Sequence, residues 1–104
     1  MSDTGVRLDI TPIEGGLVLV GEIDAHTAPE LGARLDPLPG HTGDVIVDVA
    51  GIEFIDSSGL RVLIEAHQRA VAADRRLVIR RPSASVRRLF EISGLSEHLV
   101  VADE

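Results

Sequence analysis

The sequence predicts a single α/β domain with a mixed sheet of four to five strands and helices packed on it. The chain has 104 residues, which is the usual size of one domain with one core. Strand-like and helix-like hydrophobic patterns alternate along it, as they do where helices connect parallel strands. A glycine-rich turn between the first two apolar segments indicates that the sheet starts with an antiparallel hairpin. We place the core at about residues 5–101.

The predicted N-terminal hairpin comes from the first two apolar segments. Apolar and polar residues alternate over 6–10, which is the pattern of a strand with one solvent-facing side. Residues 17–20 are continuously apolar and predict the second strand. Glu14, Gly15 and Gly16 separate the two segments and favour a tight turn.

The remaining predicted strands are short and aliphatic. Residues 45–49 and 77–80 contain continuous apolar segments, which are typical of central strands buried on both faces. A last short strand is predicted at 99–101. Hydrophobic residues make up 44% of the chain but aromatic residues only 2%. We therefore expect an aliphatic core in which Phe54 and Phe90 are the only aromatic side chains.

Three helices are predicted at about 28–36, 58–73 and 84–92. For the first helix we expect Thr27 to cap the third amide and Glu30 to complete a capping box. The second helix has a predicted apolar face, to which Leu60, Leu63, Ile64 and Val71 belong.

Composition and charge exclude several functions. The chain has no cysteine, and all ten of its positive side chains are arginine, so thiol chemistry and a lysine nucleophile are both excluded. The net charge of −7 opposes binding to nucleic acid or anionic lipid and favours a protein partner. No signal-peptide pattern and no apolar segment of roughly 20 residues is present. We expect a cytoplasmic protein that needs no cofactor or metal.

The sharpest local feature is the segment Phe54–Leu60, where a predicted strand gives way to an amphipathic helix. In parallel sheets, functional sites collect at such carboxyl ends of strands. Serine is also a preferred N-cap, so spacing alone leaves a capping role and a functional role open for Ser57 and Ser58. We expect free helix amides to stabilise a phosphate on Ser57, which would add about −1.5 to −2 charges beside Asp56.

Residues 45–63, with Asp56-Ser57-Ser58-Gly59-Leu60 at their centre, resemble the signature of the STAS domain. This domain is shared by anti-sigma factor antagonists and the tails of sulphate transporters. Two further matches occur in the family's order: Gly21–Asp24 followed by Thr27, and Arg88–Leu95. Together the three matches extend over nearly the whole chain. The resemblance implies one STAS-like domain that switches between protein partners and has no catalytic activity.

The resemblance also implies a mechanism. In antagonists of this family, the unphosphorylated protein binds an anti-sigma factor that is also a serine kinase, and the sigma factor is released. The kinase then phosphorylates the first serine of the motif, which matches Ser57 here, and a protein serine phosphatase reverses the modification. We expect a monomer or weak homodimer. The implied partner-binding residues are Asp24, His26, Thr27, Ile55, Asp56, Ser58, Gly59, Leu60 and Arg61.

Two other functions stay open. A STAS scaffold that is never phosphorylated, such as an accessory subunit of a signalling or transporter complex, would have nearly the same sequence. A serine hydrolase is disfavoured, because its nucleophile elbow requires glycine where this chain has Ile55. His26 would approach Ser57 only if their strands are neighbours, and His67 is expected to be structural. The remaining histidines, His41 and His98, have no triad-like context.

Two features outside these motifs also carry expectations. The arginine pairs at 75–76, 80–81 and 87–88 are expected to form a solvated rim rather than a nucleic-acid surface, because the chain is acidic and has few aromatic residues to stack on bases. A role in holding an anion stays open for them. Relatives usually carry another helix after the last strand. The sequence does not decide whether a sheet face is less covered here, or whether that helix is dispensable or replaced by association.

Overall fold

The structure is a computed structural model that describes residues 8–94 and 99–102. In these residues the chain forms five strands and three helices. Their order is β1 (Leu8–Ile13), β2 (Gly16–Ile23), α1 (Ala28–Leu35), β3 (Val45–Ile55), α2 (Ser57–Ala72), β4 (Leu77–Arg80), α3 (Ala84–Ile92) and β5 (Val100–Ala102). The start of the predicted first strand, His98 and the end of the Arg88–Leu95 match lie outside the described residues.

The described strands form one sheet in the order β1-β2-β3-β4-β5. β1 is antiparallel to β2, and every other neighbouring pair is parallel. The connecting turn contains Gly15 with φ of 78°, a left-handed conformation that glycine adopts without strain. The predicted α/β class and the antiparallel N-terminal hairpin are therefore confirmed.

β3 is longer than predicted. It continues beyond residue 49 to Ile55, and it follows β2 through two register shifts, which lie between Val18 and Val20 and between Gly21 and Glu22. These irregularities break the simple alternation of apolar residues. The sequence pattern therefore did not predict the second half of β3. As a result β3 ends beside the end of β2.

The two faces of the sheet differ in burial. Val45, Val47 and Val49 of β3 are essentially inaccessible, whereas Ile46 between them is only partly buried and Val20 on β2 is 47% exposed. The expectation that β3 is buried on both faces was therefore wrong at Ile46.

α1 packs against α2, α2 packs against β3 and β4, and α3 packs against β3.

Two core predictions need correction. Phe90 is buried as expected, but Phe54 is 48% exposed because Ile55, its neighbour on β3, takes the inward position instead. Val71 of α2 is 55% exposed. The buried face of this helix is formed by Leu63, Ala66 and Ala70, which are spaced by three and four residues, and Val71 points away from that face.

Candidate functional site

The loops that follow β2 and β3 meet at one edge of the sheet. Ile23 at the end of β2 pairs with Ile55 at the end of β3, and the Asp56 amide donates a hydrogen bond to the Ile23 carbonyl at 3.1 Å. This contact joins the segment at 24–27 to the start of α2. The structure therefore brings together the two motif segments that are separated by about thirty residues in the sequence.

Asp56 caps helix α2. Its backbone is extended, and its Oδ1 accepts hydrogen bonds from the amides of Ser58 at 2.9 Å and Gly59 at 3.2 Å. The helix consequently begins at Ser57, one residue earlier than predicted. The cap is an aspartate and neither serine, which settles the capping question that the spacing left open.

The Asp56 cap also corrects the expectation that free amides would stabilise a phosphate on Ser57. The amides of Ser58 and Gly59 already donate to the Asp56 carboxylate. The Leu60 amide donates to the Asp56 carbonyl at 3.0 Å. A phosphate on Ser57 would have to displace a carboxylate to reach the first two of these donors.

Ser57 is exposed at the first position of α2, and its hydroxyl makes no hydrogen bond within the described part of the chain. It opens onto a groove between the N-terminal ends of α1 and α2, with a volume of about 380 Å³. We call this the Ser57 groove. Its described lining consists of Ala25, Ala28, Pro29, Ser57, Ser58, Arg61 and Val62.

Buried residues pack the start of α2 against the ends of β2 and β3. Ile55 and Leu60 are 4% and 7% exposed, and Gly59 is buried as well. A Cβ on Gly59 would lie 2.6 Å from Ile23 Cγ2 and 2.7 Å from Ile55 Cγ1, so only glycine lets the helix approach the two strands this closely. Three of the residues that the resemblance implies at a partner contact, Ile55, Gly59 and Leu60, are therefore buried in this structure and support the start of α2.

The loop between β2 and α1 is closed by its own hydrogen bonds. Asp24 Oδ1 accepts from the amides of His26 at 2.9 Å and Thr27 at 3.0 Å. The Thr27 hydroxyl donates to the Glu22 carbonyl at 3.0 Å and accepts from the Asp24 amide at 2.9 Å. The Thr27 amide, followed by the His26 amide, holds the pKa of Asp24 below its usual value.

This network explains why the predicted capping box is wrong. Thr27 is the N-cap residue of α1, but its side chain makes no capping hydrogen bond. The Thr27 hydroxyl oxygen accepts from the Asp24 amide while its proton is donated to the Glu22 carbonyl, and the Thr27 amide donates to Asp24 Oδ1, so these groups are not available to the third helical amide or to the Glu30 carboxylate. Asp24 competes successfully because its short side chain reaches amides two and three residues ahead.

The described histidines, His26, His41 and His67, lie outside the Ser57 groove. β2 and β3 are neighbours, as the possible contact between His26 and Ser57 required, but the groove is lined by Ala25 while His26 is exposed. His41 is exposed too. His67 is partly buried on α2, and its Nδ1 has no hydrogen-bond partner within the described residues. The described lining of the groove thus offers no imidazole base for a serine nucleophile.

Asp48 is a buried charge that sequence reasoning missed. It is 1% exposed, its Oδ1 accepts from the Ala50 amide at 2.9 Å, and its Oδ2 contacts Arg80 Nη2 at 3.0 Å and also Arg81. Burial raises the pKa of Asp48, but the Ala50 amide and the guanidinium groups of Arg81 and Arg80 lower it by more. The signal was available, because parallel pairing of the two strands places Asp48 beside Arg80.

The arginine pair at 75–76, which precedes β4, also has a structural role. Arg76 forms an ion pair with Asp44 at 3.0 Å, which lowers the pKa of Asp44. Arg75 reaches across to the loop that precedes β3, where it donates to the carbonyls of Leu38, Pro39 and Gly43. Some arginines of the expected solvated rim, such as Arg75, Arg76 and Arg80, therefore join loops and strands through hydrogen bonds and ion pairs.

The described residues lack a metal-binding cluster and a membrane-spanning helix. Residues 8–94 and 99–102 contain no group of three or more carboxylate and imidazole side chains arranged to hold a metal ion. Over the same ranges, each helix is too short or too polar to cross a membrane.

A mixed sheet with an antiparallel first hairpin, and an Asp-Ser-Ser-Gly helix start at the end of its central strand, define a STAS-type domain. The family model described as "Mlab, STAS domain" matches residues 6–101. The chain belongs to the STAS domain family.

Among its relatives is the anti-sigma-B factor antagonist of Staphylococcus epidermidis, which is 36% identical over 78 residues, or 74% of this chain and 72% of that protein. The fold is also similar to two structures of SpoIIAA, one of which is described as the Bacillus cell fate determinant. The unphosphorylated form has a TM-score of 0.68 at 24% identity and covers 96% of this chain and 90% of SpoIIAA. The phosphorylated form has a TM-score of 0.63 at 22% identity, with 96% and 93% covered.

Proposed function

We propose that this chain is an anti-sigma factor antagonist whose binding is switched off by phosphorylation of Ser57. In the unphosphorylated state it binds an anti-sigma factor that is also a serine kinase, and so releases the sigma factor. One observation carries the proposal: Asp56 caps α2, which leaves the Ser57 hydroxyl exposed and without a structural role. The name of the Staphylococcus relative supports the antagonist role, and the phosphorylated form of SpoIIAA supports the modification.

The partner contacts the surface around the Ser57 groove, which we call the docking face. It combines the loop before α1 with the start of α2, two segments that the backbone contact between Asp56 and Ile23 holds together. The residues we assign to it are accessible at least in part. They are Asp24, His26, Thr27, Asp56, Ser57, Ser58 and Arg61.

Phosphorylation acts on this surface through charge. The phosphate adds about −1.5 to −2 charges at neutral pH, next to Asp56 and on a chain whose net charge is already −7. Repulsion and desolvation then weaken a partner whose contact surface is complementary to the unmodified face. Ser57 lies outside the core, so the fold stays intact when it is phosphorylated. Removal of the phosphate by a serine phosphatase therefore restores the binding form. The protein acts in the cytoplasm as a monomer or weak homodimer.

A second candidate is a STAS scaffold that is never phosphorylated and serves as a subunit of a signalling or transporter complex. The description of the matching family model, "Mlab, STAS domain", is consistent with it. Such a protein would keep the docking face but would not use the Ser57 hydroxyl as an acceptor.

The test uses the histidine-kinase-like serine kinase encoded nearest to this chain. The chain is incubated with that kinase and ATP, the phosphosite is mapped by mass spectrometry, and affinity is measured for wild type, Ser57→Ala and Ser57→Asp. We expect phosphate on Ser57 only, tight binding by Ser57→Ala, and binding at least about ten-fold weaker for Ser57→Asp, which corresponds to about 1.4 kcal/mol. Ser58→Ala is the matched control. Unmodified serines together with wild-type affinity for Ser57→Asp would exclude the switch.

A further inference from the structure

A phosphate on Ser57 finds no ready set of backbone donors at the start of α2. The Ser58 and Gly59 amides are bound by the Asp56 carboxylate, and the Leu60 amide is bound by the Asp56 carbonyl. Two acidic groups would repel the phosphate: Asp56 directly precedes Ser57, and Glu30 lies exposed in the first turn of α1. The phosphate therefore needs a positively charged side chain close by.

Arg61 is in the right place to supply that charge. It follows Ser57 by four residues on α2, so the two side chains lie on the same face of the helix, about 6 Å apart at their Cβ atoms. Helical side chains lean toward the N-terminus, which directs the Arg61 side chain toward Ser57. Both residues line the Ser57 groove, and Arg61 is the only cationic residue in its described lining.

The guanidinium of Arg61 is also uncommitted. It is exposed and forms no ion pair or hydrogen bond within the described part of the chain. Other arginines of the chain are engaged by carboxylates, as Arg76 is by Asp44 and Arg80 is by Asp48. An exposed, unpaired arginine on a chain with a net charge of −7 is available for an incoming anion.

We propose that Arg61 binds the phosphate of phosphorylated Ser57 within the same molecule. The inference rests on the proposed modification of Ser57, and it adds a consequence for the switch. Before phosphorylation, Arg61 presents a free positive charge on the docking face. After phosphorylation, the pair with the phosphate removes that charge from the surface while the phosphate adds negative charge, so one modification changes the face twice.

The test places phosphoserine at position 57 during translation, so that it needs no kinase. Phosphorus NMR then follows the phosphate of the full chain through its second ionisation, near pH 6 for a free phosphoserine. The wild type is compared with Arg61→Gln and with Arg61→Lys. Arg34→Gln is the matched control, since it removes the same charge from the last turn of α1, outside the groove lining.

We expect the phosphate of Arg61→Gln to have a higher pKa than that of wild type, with an acid dissociation constant lower by roughly two- to five-fold. Arg61→Lys should fall between them, because lysine keeps the charge but not the two parallel hydrogen bonds. Arg34→Gln should match wild type. The Nε signal of Arg61 should shift only in the phosphorylated chain.

Identical phosphate titrations in wild type and Arg61→Gln would overturn the inference. If the kinase still modifies Ser57 in that case, the proposed function survives and only the role of Arg61 fails. If the titrations differ as expected but the kinase leaves Ser57 unmodified, the proposed function fails and the contact stands. Reduced partner affinity of unphosphorylated Arg61→Gln without a change in titration would assign Arg61 to the partner contact alone.

Discussion

The Asp56 carboxylate lies 2.9 Å from the Ser58 amide nitrogen, and this hydrogen bond decides which side chains at the start of α2 are free. Because the aspartate supplies the cap, the Ser57 hydroxyl has no role in holding the helix. Because Asp56 caps the helix and Ser57 does not, modification of Ser57 is compatible with an intact fold.

Replacement of the cap should destabilise the domain. We expect Asp56→Ala to lower the free energy of unfolding by about 1 kcal/mol, within a range of about 0.5 to 2 kcal/mol, since two amides lose their acceptor. Urea unfolding followed by circular dichroism measures this. The control Ser57→Ala should stay within about 0.5 kcal/mol of wild type. Equal losses in the two variants would mean that Ser57 shares the capping role.

The close approach of α2 to the ends of β2 and β3 predicts opposite effects at two helical glycines. Alanine at Gly59 would place its Cβ 2.6 Å from Ile23, so we expect Gly59→Ala to destabilise by about 1 to 3 kcal/mol. At Gly32 of α1, the nearest atom would be 3.8 Å away, on Val62. Gly32→Ala should therefore stabilise by up to about 1 kcal/mol through helix propensity alone.

Thermal or urea unfolding of these two variants separates packing from propensity. If Gly59→Ala were as stable as wild type or more stable, the tight contact between the start of α2 and the two strands would be contradicted. A loss of stability in Gly32→Ala similar to that in Gly59→Ala would point to a general effect on helices.

The buried charge of Asp48 should make stability depend on acid pH. Its pKa is lowered on folding, so it contributes stability that is fully present above its unfolded value near 3.8 and is lost as the pH falls through the lowered folded value. We expect Asp48→Asn to be less stable than wild type by about 1 to 3 kcal/mol at pH 7, because Arg80 and Arg81 lose their carboxylate.

The difference between wild type and Asp48→Asn should shrink as the pH falls below about 3.8, because the unfolded wild-type chain then takes up a proton that the folded carboxylate binds only at a lower pH. Asp44→Asn, which breaks the exposed pair with Arg76, is the control and should have a smaller effect throughout. A constant gap from pH 7 to pH 3 would show that the charge of Asp48 is not the source of its contribution.

Much of the fold could be predicted because apolar periodicity follows burial directly. The strands around Val47 and Ile79 and the buried face of α2 at Leu63 have unbroken local patterns, so their positions were confirmed. The second half of β3 could not be found in this way, since register shifts beside β2 break the alternation and leave Phe54 outside the core.

The candidate site was less predictable, since its details depend on competition for hydrogen bonds. Ser57 and Thr27 both belong to residue types that cap helices; the sequence left a capping role open for Ser57 and predicted one for Thr27. The structure gives the cap of α2 to Asp56 and draws Thr27 into a turn with Asp24. Only the arrangement in space shows which acceptor reaches an amide first. The ion pair of Asp48 and Arg80, which lie 32 residues apart in sequence, could be predicted only once β3 is paired in parallel with β4.

The most direct test measures binding of the chain to the anti-sigma factor kinase with phosphoserine placed at position 57 or at position 58. Titration calorimetry against the unmodified chain gives both affinities. The account predicts that phosphate on Ser57 weakens binding at least about ten-fold while the secondary structure stays unchanged by circular dichroism. Equal affinities of the unmodified chain and the chain phosphorylated at Ser57 would contradict it.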